Sequence, residues 1–172
     1  MLYCFSDAVS SMQIASQIRA GLSGEIVDMK DFIIFTDGDV DVPKPYDTDV
    51  VMLPQYYYFD PGTVYGDEQV LTREVFFEQL SSRRAYTAGV NPDLVRNRFE
   101  QVLKEGNDIL CIAVSSGISG SYNTICMAAK ELQALYPESS IRVIDSLSAT
   151  LGAGFLCADA IELRKQGKSL EE

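Results

Sequence analysis

From residue 90 onward, the apolar positions alternate between short continuous runs and stripes at helical spacing. Residues 108–114 are a largely apolar run and predict a buried strand, and residues 141–144 predict another strand. Asn91 followed by Pro92 predicts a helix start. Because strands that alternate with helices run parallel through helical crossovers, the pattern predicts a three-layer α/β/α fold with a mostly parallel sheet. Three helices are predicted: one begins at Pro92 and is closed by Gly106, one follows the loop at residues 115–121 and runs to about residue 135, and one covers residues 151–165.

Residues 32–90 contain three further predicted strands, one helix and two loops. The strands cover residues 32–35, 49–53 and 56–59, where apolar, β-branched and aromatic residues cluster. A helix begins at Thr72 and runs to about residue 81. Proline and glycine residues predict a loop over residues 60–70. A second loop is predicted over residues 83–89, just before Asn91.

Residues 1–31 form a predicted extension ahead of the α/β lobe, which is expected over residues 32–172. Ile14, Ile18 and Leu22 recur at helical spacing and predict an amphipathic helix in this extension. The first residues lack a basic segment, so no signal peptide is predicted.

Charge and composition narrow the range of functions. Lys and Arg total 14 against 25 Asp and Glu, and the net charge of −11 predicts no nucleic-acid partner. The chain has no histidine, which excludes Ser-His and Cys-His catalysis within it, and no metal site is predicted. No apolar run reaches the roughly 18 residues that span a bilayer. The four cysteines form no Cys-x-x-Cys pair, so reduced thiols and a cytoplasmic location are expected.

The segment richest in candidate chemistry follows the strand predicted at residues 108–114. It reads Ser-Ser-Gly-Ile-Ser-Gly-Ser-Tyr-Asn over residues 115–123 and opens the next helix. Ligands of parallel α/β sheets bind at the carboxyl ends of strands, where helix starts attract anions. Gly117 and Gly120 allow close backbone approach, and the serine hydroxyls can bond oxygens. The segment predicts a cradle for a carboxylate or phosphate, with a capped helix start and turn glycines as the alternative.

A second candidate is the pair Asp37 and Asp39, directly after the strand predicted at residues 32–35. It resembles the Asp-x-Asp of haloacid-dehalogenase-type phosphatases, in which the first Asp is the nucleophile and the second the general acid. An acidic solvated turn is the alternative. Val42 and Thr48 stand where an EF-hand loop needs glycine and its last ligand, which excludes that motif.

Two weaker candidates lie in other loops. Thr87, ahead of the helix start at Asn91, could add a hydroxyl to an anion site. Residues 145–154 follow the last predicted strand, and their small residues suit either a pocket wall or tight helix packing.

Taken together, these segments resemble the DegV family of bacterial fatty-acid-binding proteins. Residues 37–43 are similar to the family's Asp-Ser-x-x-Asp-x-Pro, with Gly38 in place of serine. Residues 115–122 are similar to Ser-Ser-x-hydrophobic-Ser-Gly-Thr/Ser-Tyr, and residues 145–154 to Asp-Ser-x-x-Ala-Ser-x-Gly-x-Gly. Thr87 falls at the threonine of Thr-Ser-Gln-Pro, although Ala, Gly and Val follow it here.

The resemblance implies a lipid-binding protein without a cofactor, not an enzyme on its own. Family members hold one long-chain fatty acid and present its carboxyl group to a fatty-acid kinase, which makes an acyl phosphate for phospholipid synthesis. For this sequence, the resemblance implies that the carboxylate is held by the hydroxyls of Thr87 and Ser119, with Ser116 close by. Further ligand-binding residues expected from the same loops are Ser115, Gly120 and Asp37.

The resemblance also implies a second lobe that completes the ligand tunnel. Ser169 and Glu172 have the spacing of a capping box, which predicts a helix beginning where the sequence ends. We therefore expect this chain to be the first lobe, with the second lobe absent from it.

Overall fold

A computed structural model describes residues 31–67 and 69–172. The predicted amphipathic helix around Ile14, Ile18 and Leu22 lies outside the described residues. The strands within them are β1 (Phe32–Asp37), β2 (Val51–Leu53), β3 (Tyr56–Asp60), β4 (Thr63–Tyr65), β5 (Tyr86–Ala88), β6 (Asp108–Ala113) and β7 (Ile141–Asp145). The helices are α1 (Arg73–Ser82), α2 (Pro92–Lys104), α3 (Ser121–Leu135) and α4 (Thr150–Lys165), with a short 3-10 helix at Tyr46–Thr48.

Four strands form a parallel sheet in the order β2-β1-β6-β7. Ile34 of β1 lies beside Leu110 of β6, and both belong to a core that includes Ile161 of α4. The neighbouring Phe35 points to the opposite face, where its ring centroid lies 4.8 Å from that of Phe99 on α2. Helices thus cover both faces of the sheet, and the predicted α/β fold with a parallel sheet is confirmed.

A second, smaller sheet is antiparallel, in the order β4-β3-β5. Tyr57 of β3 lies opposite Thr87 of β5, and the ring of Phe76 on α1 meets the Tyr57 ring edge-on at 5.3 Å. The loops predicted at residues 60–70 and 83–89 are therefore wrong where β4 and β5 lie. Three-residue strands carry no apolar alternation of their own, and pairing with β3 is what makes these segments extended.

Capping residues set helix boundaries as the sequence predicts. The Asn91 carboxamide oxygen accepts hydrogen bonds from the backbone N–H groups of Asp93 at 2.9 Å and Leu94 at 3.3 Å. The hydroxyl of Thr72 accepts one from the third residue of α1. Gly106 follows α2 with a φ of +82°, a conformation that glycine adopts without a steric penalty.

Three cysteines in the described part of the chain are free thiols. Cys111 and Cys157 are buried in the two cores, and burial raises the pKa of both thiols, as expected for inert reduced cysteines. Cys126 is half-buried, and Cys4 lies outside the described residues. Among the helices described, none combines the length and apolarity that crossing a bilayer requires.

Candidate ligand-binding site

The carboxyl ends of β1 and β6 are joined by the side chain of Asp37. This carboxyl group is fully buried. Its Oδ2 accepts a hydrogen bond from the Val114 N–H at 2.7 Å, and its Oδ1 accepts one from the Asp39 N–H at 3.2 Å. Burial raises the pKa of Asp37, and the hydrogen bond from Val114 opposes the rise. Asp37 therefore holds the point at which the serine-rich loop, residues 115–121, leaves the sheet.

This burial bears on the phosphohydrolase interpretation. A nucleophilic aspartate needs an oxygen that a substrate can reach. Asp37 has no exposed surface, and both of its carboxyl oxygens accept backbone hydrogen bonds. The geometry thus favours a structural role for Asp37 at this strand end.

The first serine of the loop is directed inward. Ser115 is buried, and its backbone N–H donates to the Ser148 carbonyl at 2.8 Å. Its hydroxyl accepts a hydrogen bond from the Gly117 N–H at 3.2 Å, and its carbonyl accepts from the Ser119 N–H at 3.1 Å. Ser115 therefore shapes a tight turn and anchors it to the β7–α4 connection.

The second serine faces an acidic neighbour. The Ser116 N–H donates to Asp145 Oδ1 at 3.1 Å, and the Leu147 N–H donates to the same oxygen at 3.1 Å. The pKa of Asp145 is lowered, chiefly because the Ser116 side chain bonds the carboxylate and secondly because the Leu147 N–H donates to it. The carboxylate at the end of β7 thus orients Ser116 and connects the serine-rich loop to the β7–α4 loop.

Ser119 and Ser121 form the point where three segments of the chain meet. Their hydroxyl oxygens lie 3.0 Å apart, and the Ser121 N–H donates to Ser119 Oγ at 3.2 Å. Ser121 Oγ also accepts from the Gln55 side-chain amide at 2.9 Å and from the Val90 N–H at 3.3 Å. Ser121 is fully buried, whereas Ser119 is half-buried, so Ser119 stands between this buried cluster and solvent.

The predicted partner of Ser119, Thr87, is exposed on β5 rather than in a loop. The chain that follows it turns toward the serine-rich loop. A Cβ added at Gly89 would lie 3.1 Å from Ser121 Oγ, and the next residue, Val90, donates to that oxygen. The structure therefore brings the segment after Thr87 into contact with the turn that carries Ser119.

Gly120 immediately precedes α3. Gly120 at the N-cap position has no side chain to cap the helix, and a Cβ added there would meet nothing within 4 Å. The Ser119 hydroxyl accepts a hydrogen bond from the first N–H of α3, that of Ser121. A helix start with open space before it presents backbone N–H groups and the positive end of the helix dipole. This arrangement can accept a carboxylate or phosphate oxygen.

Exposed apolar side chains lie in the serine-rich loop and in the β7–α4 loop bonded to it. Ile118 of the serine-rich loop is 68% exposed, and Leu147 of the β7–α4 loop is 80% exposed. Leu147 also has a φ of 50°, an unusual backbone conformation for a large apolar residue. Leu151 and Phe155 extend the exposed apolar surface along α4.

Sequence reasoning missed Gln55, Ser121, Val90 and Asp145 as parts of this site. Ser121 and Asp145 lie inside the motifs singled out in the sequence, but nothing in their spacing shows which hydroxyl or carboxylate turns inward. Gln55 and Val90 reach the site from other segments, and no local signal marks them.

The fold and the site together define an α/β lobe with a hydroxyl-rich helix start at the carboxyl edge of a parallel sheet. A family model described as "Uncharacterised protein, DegV family" matches residues 31–172. The chain therefore belongs to the DegV family.

Relatives and solved structures agree with this assignment. A DegV domain-containing protein of Clostridium perfringens is 37% identical over 149 residues, which is 84% of this chain and 51% of the relative. The stearic-acid-binding protein of Eubacterium ventriosum superposes with a TM-score of 0.72 at 26% identity, over 81% of this chain and 50% of that one. The Fatty Acid Kinase (Fak) B3 protein of Streptococcus pneumoniae, loaded with linoleic acid, gives 0.68 at 25% identity, over 82% and 50%. The chain spans about half the length of these proteins.

Proposed function

We propose that this chain forms a fatty-acid-binding lobe that holds the carboxylate of a long-chain fatty acid at Ser119 and Thr87. The observation that carries the proposal is the convergence of the Thr87-bearing segment on the Ser119–Ser121 pair at the start of α3. Similar solved proteins are described as binding stearic and linoleic acid, which supports this ligand class.

The individual serines have different proposed roles. Ser119 donates its hydroxyl to the carboxylate, and Gly120 leaves room for the head group to approach the backbone. Ser116 flanks the head group, with its orientation set by Asp145. Ser115 and Asp37 act from within, because their polar atoms hold the loop in its turn.

The exposed apolar residues beside the turn suit the acyl chain. Ile118 and Leu147 belong to two loops that are hydrogen-bonded to each other through Asp145 and Ser148. Each methylene group removed from water stabilises the complex by roughly 0.8 kcal/mol. A fatty acid whose acyl chain contacts this surface while its carboxylate bonds Ser119 has both its apolar and its polar part bound by the protein.

The biological role that follows is presentation of the fatty acid to a fatty-acid kinase for acyl-phosphate formation. The similarity to the pneumococcal protein named for that kinase supports this partner. In this role the chain contributes binding and orientation, while the kinase supplies the phosphoryl-transfer chemistry. A cytoplasmic location belongs to the same proposal, because the kinase uses a nucleotide.

Ser119→Ala tests the proposed head-group contact. Wild-type chain should bind stearate, and the variant should bind it about tenfold more weakly, since a hydrogen bond to a charged group is lost. Isothermal titration calorimetry measures both affinities, and mass spectrometry of extracted lipid should identify a fatty acid in the purified wild type. Ser81→Ala is the matched control, because the Ser81 hydroxyl lies at the exposed end of α1 and bonds only its own helix in the described structure.

Equal stearate affinity in wild type and Ser119→Ala would contradict the assigned contact. That outcome would favour an interaction module in which the serine-rich loop only begins a helix.

A further inference from the structure

A small unit of the chain, here called the flap, is inserted between β2 and α2. It covers residues 55–67 and 69–89 and contains β3, β4, α1 and β5. Aromatic rings pack against one another inside it. The Tyr57 ring centroid lies 5.3 Å from that of Tyr65 and 5.3 Å from that of Phe76. The flap thus has an aromatic core of its own.

This aromatic core is separate from the two cores that cover the parallel sheet. Among the residues described, none that belongs to either of those cores comes from the flap. The helix of the flap, α1, has no buried residue along its described length. An ion pair of Asp67 with Arg98 of α2 reaches from the flap to the lobe at 4.0 Å, but both side chains are partly exposed and such pairs contribute little. A unit that shares so little of the core can move as a body at low cost.

The chain crosses between the flap and the lobe twice, and both crossings are bonded to one buried hydroxyl. At the first crossing, the Gln55 side-chain amide donates to Ser121 Oγ at 2.9 Å. At the second crossing, the Val90 N–H donates to the same oxygen at 3.3 Å. Ser121 is fully buried in the first turn of α3. Two crossings held at one point define an axis about which the flap can rotate while both sheets stay intact.

Glycine allows the close approach of the chain at this axis. A Cβ added at Gly38, just after β1, would lie 2.9 Å from the Gln55 backbone nitrogen. A Cβ added at Gly89 would lie 3.1 Å from Ser121 Oγ. The flap therefore touches the lobe most closely at the crossings, where a hinge needs to be held.

We infer that the flap is hinged at Ser121 and closes over the start of α3, which carries Thr87 toward a head group beside Ser119. Thr87 is exposed on β5, so a rotation of the flap moves it through solvent and not out of a core. The inference rests on the proposed function and deepens it, because it gives the site an open and a closed state. A carboxylate bonded by both hydroxyls stabilises the closed state, since it joins flap and lobe only when the flap is closed.

Distances between spin labels in the whole chain test the hinge. One pair of labels, at Ser81 of α1 and Lys130 of α3, spans flap and lobe, and a control pair at Lys130 and Asp159 of α4 lies within the lobe; all three residues are exposed. Labels attached through p-acetylphenylalanine leave the cysteines unchanged, and double electron–electron resonance measures the distances. Without ligand, the Ser81–Lys130 distribution should be broader than the control distribution. Stearate should narrow it and displace its maximum, and should leave the control pair unchanged.

Variants at the axis test the role of Ser121. Ser121→Ala and Gln55→Ala each remove a hydrogen bond that holds the crossings, so each should broaden the Ser81–Lys130 distribution of the ligand-free chain. Because Gln55 is only half-buried, its variant tests the hinge even where Ser121→Ala fails to fold. Thr124→Ala is the matched control, since the Thr124 hydroxyl bonds the Gly120 carbonyl at the start of its own helix and should leave the distribution unchanged.

Each other outcome counts for or against the hinge. A Ser81–Lys130 distribution as narrow as the control, and unchanged in the axis variants, shows a rigid connection and overturns the inference. A chain that binds stearate in isothermal titration calorimetry without any displacement of this distance overturns it as well. A chain that binds no stearate but has a broad distribution that both axis variants broaden further contradicts the proposed function while supporting the hinge.

Discussion

Ser119 and Ser121 are two residues apart and chemically identical, yet burial gives them different roles. Ser121 is fully buried and bonded to segments that lie far away in the sequence, whereas Ser119 is half-buried at the edge of the cluster. Asp37 shows the same principle, since its burial makes it a connection between strands and not an accessible reactive group. Residue type alone does not decide which hydroxyl or carboxylate meets a ligand.

Asp37→Asn tests the electrostatic cost of burying this carboxyl group. Its pKa is raised above 3.8 in the folded chain, chiefly by burial. Protonation of Asp37 therefore favours folding below pH 3.8, and this advantage is lost as the pH rises through the folded-state pKa. Asparagine stays neutral, so the variant should gain stability relative to wild type between about pH 3 and about pH 7.

Urea denaturation of both proteins across this pH range measures the difference. Asparagine offers a single acceptor oxygen, so the variant can be less stable than the wild type at every pH. The test is therefore how the difference in stability between the two proteins changes with pH. A difference that stays constant with pH contradicts a buried, costly carboxyl group at this position.

At the scale of elements, the strands of five or six residues were predictable from the sequence, and so was the shorter β2. β1 and β6 lie between helices, so their sequences are continuous apolar runs that a local pattern reveals. β4 and β5 have three residues each and owe their extended form to pairing with β3. Helix starts were predictable because a cap is a local feature, whereas strand pairing is not.

Asn91→Ala should lower the free energy of unfolding by about 1 kcal/mol, because two backbone N–H groups at the start of α2 lose their acceptor. Guanidinium denaturation measures the loss. Asn97→Ala is the matched control: Asn97 is exposed in the middle of the same helix, and its replacement should change stability by less than about 0.5 kcal/mol. Equal losses in the two variants would show that capping does not define this helix start.

At the scale of the whole molecule, the sequence predicts where the site lies but not how it is assembled. The serine-rich loop follows β6, and a parallel sheet places that loop at the ligand-binding edge. Gln55 reaches Ser121 from 66 residues away in the sequence, and Val90, shortly after a strand of the smaller sheet, also bonds Ser121. Such contacts depend on the packing of two sheets, which no local pattern encodes.

Leu147→Asn tests whether the apolar surface beside the site contacts the acyl chain. Leu147 is 80% exposed and has a φ of 50°, which asparagine adopts more readily, so the fold should be retained. Loss of part of the apolar contact should weaken stearate binding about three- to tenfold. Leu135→Asn, at the far end of α3 and 59% exposed, should leave the affinity unchanged. Identical affinities in the two variants would place the acyl chain elsewhere.

The most direct measurement for the central claim is a crystal structure of the chain bound to stearate. The account predicts a carboxylate oxygen about 2.5–2.7 Å from Ser119 Oγ, as in other hydroxyl–carboxylate hydrogen bonds, with the Thr87 hydroxyl on the same head group. The acyl chain should extend over Ile118 and Leu147. A carboxylate bound away from both hydroxyls, with the start of α3 facing only solvent, would contradict the account.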